Sequence, residues 1–147
     1  MSKNWLNQAR QYCNKSEKCS ADVFNILYKW GVPFNDSEKI VQQLTGENLI
    51  NDSRYAELYI GDKFRINRWG RLKIIHRLRI KRIKDYYISQ AIAQIDEDDY
   101  INTIKELIDR KRNTIHGKSE VQIKAKIFQF LHSKGFEKHL IWEHLGA

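Results

Sequence analysis

A ten-residue pattern occurs three times in this 147-residue sequence, at intervals of 51 and 53 residues. Each copy has two adjacent apolar residues, a leucine four positions after the first of them, and an apolar residue nine positions after it. Because positions i, i+1 and i+4 share one face of an α-helix, the pattern predicts an amphipathic helix in each copy. An internal repeat of this length predicts a series of similar structural modules. The copies are VFNILYKWGV (23–32), IIHRLRIKRI (74–83) and IFQFLHSKGF (127–136).

The end of each copy predicts how its helix stops. Gly31 and Gly135 lie where a left-handed residue ends many helices, a conformation that glycine adopts at little cost. The apolar residue that follows is expected to contact the leucine five positions earlier, as in a Schellman cap. The middle copy has Arg82 at the glycine position, where a left-handed residue other than glycine costs about 1–2 kcal/mol. We interpret Arg82 as retained for an anionic contact, and expect glycine there to increase stability.

Another amphipathic run precedes and follows each copy, so the sequence predicts three helices per module. The chain has one proline and seven glycines, which also favours helices. One segment, RLRIK (77–81), alternates basic and apolar residues as a β-strand would, but the adjacent Ile74 and Ile75 break that alternation and favour helix. We therefore predict an all-α fold of three tandem three-helix modules in an elongated, curved array. The predicted modules are 1–48, 49–97 and 98–147.

Several classes of protein are disfavoured by the composition. No apolar run is long enough to cross a membrane, and the N-terminal MSKNWLNQAR lacks the apolar core of a signal peptide, so we expect a cytoplasmic protein. The spacing of Cys13 and Cys19 matches no zinc motif, and we interpret both as small core residues. A disulfide between them is the less favoured alternative in a reducing compartment.

No catalytic constellation is recognisable, and we expect neither an enzyme nor a bound metal or cofactor. The sequence has no phosphate-binding loop of the G-x-x-x-x-G-K-[ST] type. The acidic run Asp96–Asp99 suits the start of a helix better than a metal-dependent nuclease site, because acids there satisfy free N–H groups. His132, His139 and His144 are not spaced as stacked neighbours on a helix, which favours surface histidines over a metal site.

The segment 63–84 holds ten Lys or Arg and no acid, in a chain of net charge +8. A solvent-exposed helix face is the ordinary explanation of such charge, but uncompensated repulsion over 22 residues lowers stability unless an anion is bound. The neighbouring aromatic residues suggest a phosphate backbone or an acidic protein groove. We interpret Trp69 mainly as a packing residue, although it is the tryptophan most expected to be exposed. The candidate contact residues are Arg65, Arg68, Arg71, Lys73, Arg77, Lys81, Arg82 and Lys84.

The stretch NDSRYAELYIGDKFRINRWGRLKIIHRLRIKRIKDYYISQAI (51–92) resembles the central module of the RecX family, regulators of the bacterial recombinase RecA. The first module, RQYCNKSEKCSADVFNILYKWGV, also resembles the opening module of that family. The sequence departs from the family pattern at Arg82, where the family usually has glycine. The matching residues are Asp52, Tyr55, Ala56, Gly70, Lys73, Ile74, Leu78, Lys81 and Ile83.

The resemblance implies a protein that lies in the groove of a RecA–DNA filament and restrains its growth. Restrained growth would limit ATP hydrolysis, strand exchange and self-cleavage of the SOS repressor, and hence homologous recombination and DNA repair. The implied partners are the RecA filament and single- or double-stranded DNA, and we expect a monomer. The basic residues would then face DNA phosphates, an acidic filament surface, or both. The alternatives are a stand-alone nucleic-acid-binding protein and a protein scaffold whose charge only maintains solubility.

Overall fold

The computed structural model describes residues 2–146, so the predicted outer limits of the first and third modules, Met1 and Ala147, lie outside the described residues. Within that range the chain forms nine α-helices and no β-strand, which confirms the predicted all-α fold. No helix in the described part of the chain is both long enough and apolar enough to cross a membrane. The helices are α1 (Ser2–Lys15), α2 (Ser20–Lys29), α3 (Phe34–Gly46), α4 (Asp52–Arg65), α5 (Arg71–Ile80), α6 (Asp85–Ile92), α7 (Glu97–Arg112), α8 (Glu120–Ser133) and α9 (Lys138–Leu145).

Each group of three consecutive helices packs around its own hydrophobic core. We call these groups module 1 (α1–α3), module 2 (α4–α6) and module 3 (α7–α9). The repeated pattern supplies the centre of each core, because its first apolar residue and its leucine are fully buried in all three copies. Helices of this length are marginal alone, so burial against their two neighbours stabilises them. These central pairs are Val23 and Leu27, Ile74 and Leu78, and Ile127 and Leu131.

The surface area reflects three cores in series. The accessible surface is 9304 Å², whereas a compact monomer of this mass exposes about 7,900 Å². Helix–helix packing lies mainly within modules, for example α4 against α6 and α7 against α8. The fold is therefore elongated, and its curvature stays a prediction.

The three central helices end in the same way. Gly31, Arg82 and Gly135 have φ values of 82°, 61° and 97°, all in the left-handed region. In module 2 the Ile83 N–H donates to the Leu78 carbonyl at 3.1 Å and the Arg82 N–H donates to the Arg79 carbonyl at 2.9 Å. Modules 1 and 3 make the same two bonds, so the predicted Schellman caps are confirmed, including the one that contains arginine.

Replacing Arg82 by glycine should stabilise the protein. Arg82 is exposed, and its left-handed backbone is one that glycine adopts without the steric cost borne by arginine. We expect Arg82→Gly to raise the free energy of unfolding by about 1 kcal/mol and the melting temperature by about 3 °C. The control is Arg79→Gly, which removes an arginine from within α5 and should lower stability by about 1 kcal/mol. Thermal unfolding followed by circular dichroism measures the melting temperatures of both variants. A lower melting temperature for Arg82→Gly would show that the left-handed backbone at Arg82 is not strained.

Several residues test whether the helical pattern alone predicts which side chains are buried. Cys13 lies in the first core and Cys19 in the second; both thiols are free and buried, as the interpretation as core residues requires. Trp5 and Trp30 pack against the first core. Trp142 falls within an amphipathic helical stripe, which predicts a core residue, but it is 49% exposed and that prediction is wrong. It stacks instead on the surface of module 3, against Phe128 of α8.

Candidate nucleic-acid and protein interface

Trp69 is the centre of a cluster of cations on module 2. It lies in the loop between α4 and α5, with its ring partly buried against the second core. The side-chain nitrogens of Lys63 and Lys73 lie 5.0 Å and 4.4 Å from the ring centroid. The guanidinium carbon of Arg77 lies 5.2 Å from it. The ring is therefore both a packing residue and a platform that holds three cations by attraction to its π face.

The cluster continues along α4. Tyr55 and Tyr59 stack with ring centroids 5.8 Å apart, one helical turn from each other. The Nζ of Lys63 lies 5.4 Å from the ring centroid of Tyr59, and the Nζ of Lys81 lies 5.6 Å from the ring centroid of Tyr55. We call the surface formed by Tyr55, Tyr59, Lys63, Trp69, Lys73, Arg77 and Lys81 the basic–aromatic face. Lys63 is not among the candidate residues predicted from the sequence, although helical periodicity places it one turn beyond Tyr59 on α4.

Five of the eight candidate residues form no ion pair with a carboxylate among residues 2–146. Four of the five are exposed to solvent, and Lys73 is half-buried beside Trp69. Their charge has no internal partner and is available to an anion outside the chain. These residues are Arg65, Lys73, Arg77, Arg82 and Lys84.

Arg68 and Arg71 instead contact module 3. Arg71 donates from Nη1 to Glu137 Oε2 at 2.9 Å and from Nη2 to Glu97. Its guanidinium carbon also lies 3.8 Å from the ring centroid of Tyr100. Arg68 Nη1 lies 2.6 Å from Glu106 Oε2 on α7. The structure thus engages both arginines in holding module 3 against module 2.

Lys81 connects module 2 to module 1. Its Nζ lies 2.9 Å from the Asp22 carboxylate on α2. Burial alone would raise the pKa of Asp22, but the hydrogen bonds from Lys81 and from the Cys19 N–H outweigh it and hold that pKa below its usual range. Burial likewise opposes the charge of Lys81, yet the Asp22 partner raises the pKa of Lys81 overall. Both groups are therefore charged at neutral pH and bind each other across the module boundary.

Modules 2 and 3 also meet through their backbones. The Gly70 N–H donates to the Lys134 carbonyl at 2.8 Å, and the Leu72 N–H donates to the Gly135 carbonyl at 2.9 Å. The free N–H groups that begin α5 are thus satisfied by the free carbonyls that follow α8. A Cβ atom placed on Gly135 would lie 2.4 Å from the Cβ of Lys73, and one on Gly70 would lie 2.4 Å from the Gly135 carbonyl carbon. Both glycines are needed for this close approach, whereas the sequence predicted for Gly135 only the role of ending a helix.

Two family models match modules 2 and 3, which carry this site: "RecX, second three-helix domain" matches residues 51–92, and "RecX, third three-helix domain" matches residues 97–145. The chain belongs to the RecX family. The resemblance inferred from residues 51–92 is thereby confirmed, and Arg82 is a departure that the family model accommodates.

Relatives with the name "Regulatory protein RecX" match most of the chain. The protein from Clostridium perfringens strain 13 is 29% identical over 133 residues, which are 89% of this chain and 62% of the relative. The one from Clostridium tetani is 29% identical over 137 residues, or 92% of this chain and 61% of the relative. The chain thus spans less than two thirds of the length of these RecX proteins.

Two solved RecX structures share the fold. The crystal structure of a regulatory protein RecX superposes with a TM-score of 0.91 at 22% identity, covering 97% of this chain and 71% of that one. The crystal structure of RecX from Lactobacillus salivarius superposes with a TM-score of 0.89 at 23% identity, covering 98% of this chain and 94% of that one. The three-module architecture is therefore that of the RecX fold.

Proposed function

We propose that this chain regulates a RecA-type recombinase by binding along the recombinase filament on DNA and limiting the growth and activities of that filament. The observation that carries the proposal is the basic–aromatic face, where Lys63, Lys73 and Arg77 have no carboxylate partner among the described residues of an elongated array of modules. Membership of the RecX family supports it, because the named relatives are regulatory proteins. The proposed setting is the cytoplasm, in homologous recombination, DNA repair and the SOS response.

The chemistry of the face suits a polyanion. Lys73 and Arg77 meet at one aromatic ring, so an incoming phosphate would find two cations held at one place. Association driven by such cations releases counterions from nucleic acid and weakens as salt rises. An acidic filament surface would be attracted by the same charge. The proposed partners are therefore the RecA filament and its single- or double-stranded DNA, bound by a monomer without cofactor, metal or catalytic step.

The alternative function is stand-alone nucleic-acid binding without a recombinase. One observation favours it: Trp69 is surrounded by cations, which is the arrangement that proteins use to stack a base beside a phosphate. A protein of this kind would inhibit recombination only by covering DNA. The two functions therefore differ in the amount of protein that inhibition requires.

DNA strand exchange by RecA should slow when this protein is present at well below one molecule per recombinase subunit, because one bound molecule at a growing end stops many additions. The variant Lys73→Glu/Arg77→Glu should inhibit about 10–100-fold more weakly, because each charged contact that is lost costs roughly 1 kcal/mol or more. The control Lys39→Glu/Lys105→Glu makes the same change of charge at exposed positions on α3 and α7 and should inhibit normally. Inhibition that appears only when the protein saturates the DNA would support the stand-alone alternative instead.

A further inference from the structure

The basic surface of module 2 continues onto module 3 through Lys134. The Nζ of Lys134 donates to the Asn67 carbonyl at 3.1 Å, which places this α8 side chain beside the loop that carries Trp69. Burial first, and then the neighbouring charges of Lys73 and Arg68, lower the pKa of Lys134. Three cations from two modules thus lie close together, and of these Arg68 is also paired with Glu106.

Beyond Lys134, module 3 repeats the arrangement of cations around a ring. The Nζ atoms of Lys134 and Lys111 lie 5.6 Å and 4.8 Å from the ring centroid of Phe130. Phe130 is partly buried on α8, as Trp69 is in module 2. A line of side chains therefore runs from Trp69 through Lys73 and Lys134 to Phe130, with a cation beside each of the two aromatic rings.

This line leads into an open cleft of about 550 Å³ between α7, α8 and the loop that joins them. Phe130 and Lys111 form one part of its lining, and His116, Lys118 and Lys126 form another. No acid lines the cleft in the part of the chain that the structure describes. Two carboxylates on the adjoining helices are bound by arginines, because Glu120 pairs with Arg112 at 2.9 Å and Glu106 pairs with Arg68. The cleft is therefore positive, and its volume lies in the range of ligand sites, about 300–1,000 Å³.

We infer that the cleft is a second binding site for single-stranded nucleic acid, continuous with the basic–aromatic face. Phosphates would lie at Lys111, Lys118 and Lys126, and a base would lie against Phe130 once the lysines turn toward phosphate. Single-stranded nucleic acid is favoured over an acidic protein because cation and ring recur together along the line, as phosphate and base recur along a strand. The inference shares its ligand with the proposed function but does not require a recombinase.

The sequence does not show this surface as one basic segment, because Glu120 divides it. Arg110, Lys111, Arg112 and Lys118 lie between Asp109 and Glu120, and Lys126 follows Glu120. In the folded chain Glu120 is bound by Arg112, while Lys111, Lys118 and Lys126 converge on the cleft. The positive surface is therefore a product of tertiary structure.

The test measures fluorescence anisotropy of labelled oligothymidine, without a recombinase, for the variant Lys118→Glu/Lys126→Glu. Both lysines are exposed, and circular dichroism verifies that the variant is folded. With strands of about 20 nucleotides, long enough for more than one site of about 4–16 nucleotides, affinity should fall about tenfold. The slope of log K against log salt should become shallower by about 0.7 for each phosphate that the variant no longer neutralises. For strands of about six nucleotides, which engage one site only, the affinity of the variant should differ less from that of the unaltered protein.

The control Lys39→Glu/Lys105→Glu, which makes the same change of charge, should leave the affinity and the salt slope nearly unchanged. The affinity of Lys118→Gln/Lys126→Gln should lie between those of this control and of the glutamate variant. If the glutamate variant binds long strands as the control does, the cleft is not a nucleic-acid site. If oligoglutamate binding depends on these two lysines and oligothymidine binding does not, the site takes an acidic protein surface and the inference is overturned. Because no recombinase is present, neither result depends on the outcome of strand exchange.

Discussion

Gly135→Ala should lower the melting temperature by about 10 °C and detach module 3 from module 2. The new Cβ would lie 2.4 Å from the Cβ of Lys73 and 2.5 Å from its backbone nitrogen, closer than such atoms approach in real structures. The left-handed backbone at φ 97° adds a further cost for alanine. Together the overlap and the backbone strain amount to about 4 kcal/mol, and a chain of this size loses roughly 2–4 °C per kcal/mol.

The control for this prediction is Gly31→Ala. Gly31 has a left-handed φ of 82°, but nothing lies within 4 Å of an added Cβ, so only the backbone cost of about 1 kcal/mol remains. Differential scanning calorimetry of both variants separates strain from close contact, and small-angle scattering detects a change in the arrangement of the modules. Equal losses of stability in the two variants would show that the junction tolerates a methyl group.

Arg71→Ala should lower the free energy of unfolding by about 2–3 kcal/mol. Its side chain is only 19% exposed, and it binds Glu137 and Glu97 while covering the ring of Tyr100. Removing it leaves the Glu137 carboxylate, itself 18% exposed, without its cation. Among residues 2–146, the Glu137 carboxylate would then accept only the hydrogen bond from the Tyr100 hydroxyl, whose pKa is raised first by burial and then by this carboxylate.

Arg77→Ala is the matched control, because Arg77 lies on the same helix and is exposed without a carboxylate partner among the described residues. Its loss should change stability by no more than about 0.5 kcal/mol. Chemical denaturation measures both variants. A small effect of Arg71→Ala, similar to that of Arg77→Ala, would place Arg71 with the surface cations and return it to the candidates for external contacts.

The sequence predicted those features that depend on local geometry. The buried positions of α2, α5 and α8 follow from helical periodicity, and the left-handed conformation of Arg82 follows from its alignment with Gly31 and Gly135. Each of these features is formed by residues within one ten-residue copy of the pattern. Such short-range constraints act identically in every copy of a repeat, so comparing the copies was sufficient to recognise them.

The sequence did not predict which basic residues would be free. Lys73, Arg77 and Lys81 follow one another at intervals of four, but Lys81 turns to Asp22 in module 1 while the other two remain at Trp69. Arg71 binds Glu137, 66 positions away. These pairings depend on how modules approach one another, which no periodicity within a helix specifies. The close contact between Gly70 and Gly135 could not be predicted for the same reason.

The two module junctions differ in one of the bonds that hold them. The junction of modules 2 and 3 includes the ion pairs of Arg68 and Arg71, but also backbone hydrogen bonds from Gly70 and Leu72, which do not titrate and are little affected by salt. The junction of modules 1 and 2 includes the Asp22–Lys81 pair, whose stabilising contribution is present above the ordinary aspartate pKa and is lost as pH falls through the lowered pKa of Asp22. We therefore expect modules 2 and 3 to keep their spacing in acid that weakens the contact between modules 1 and 2.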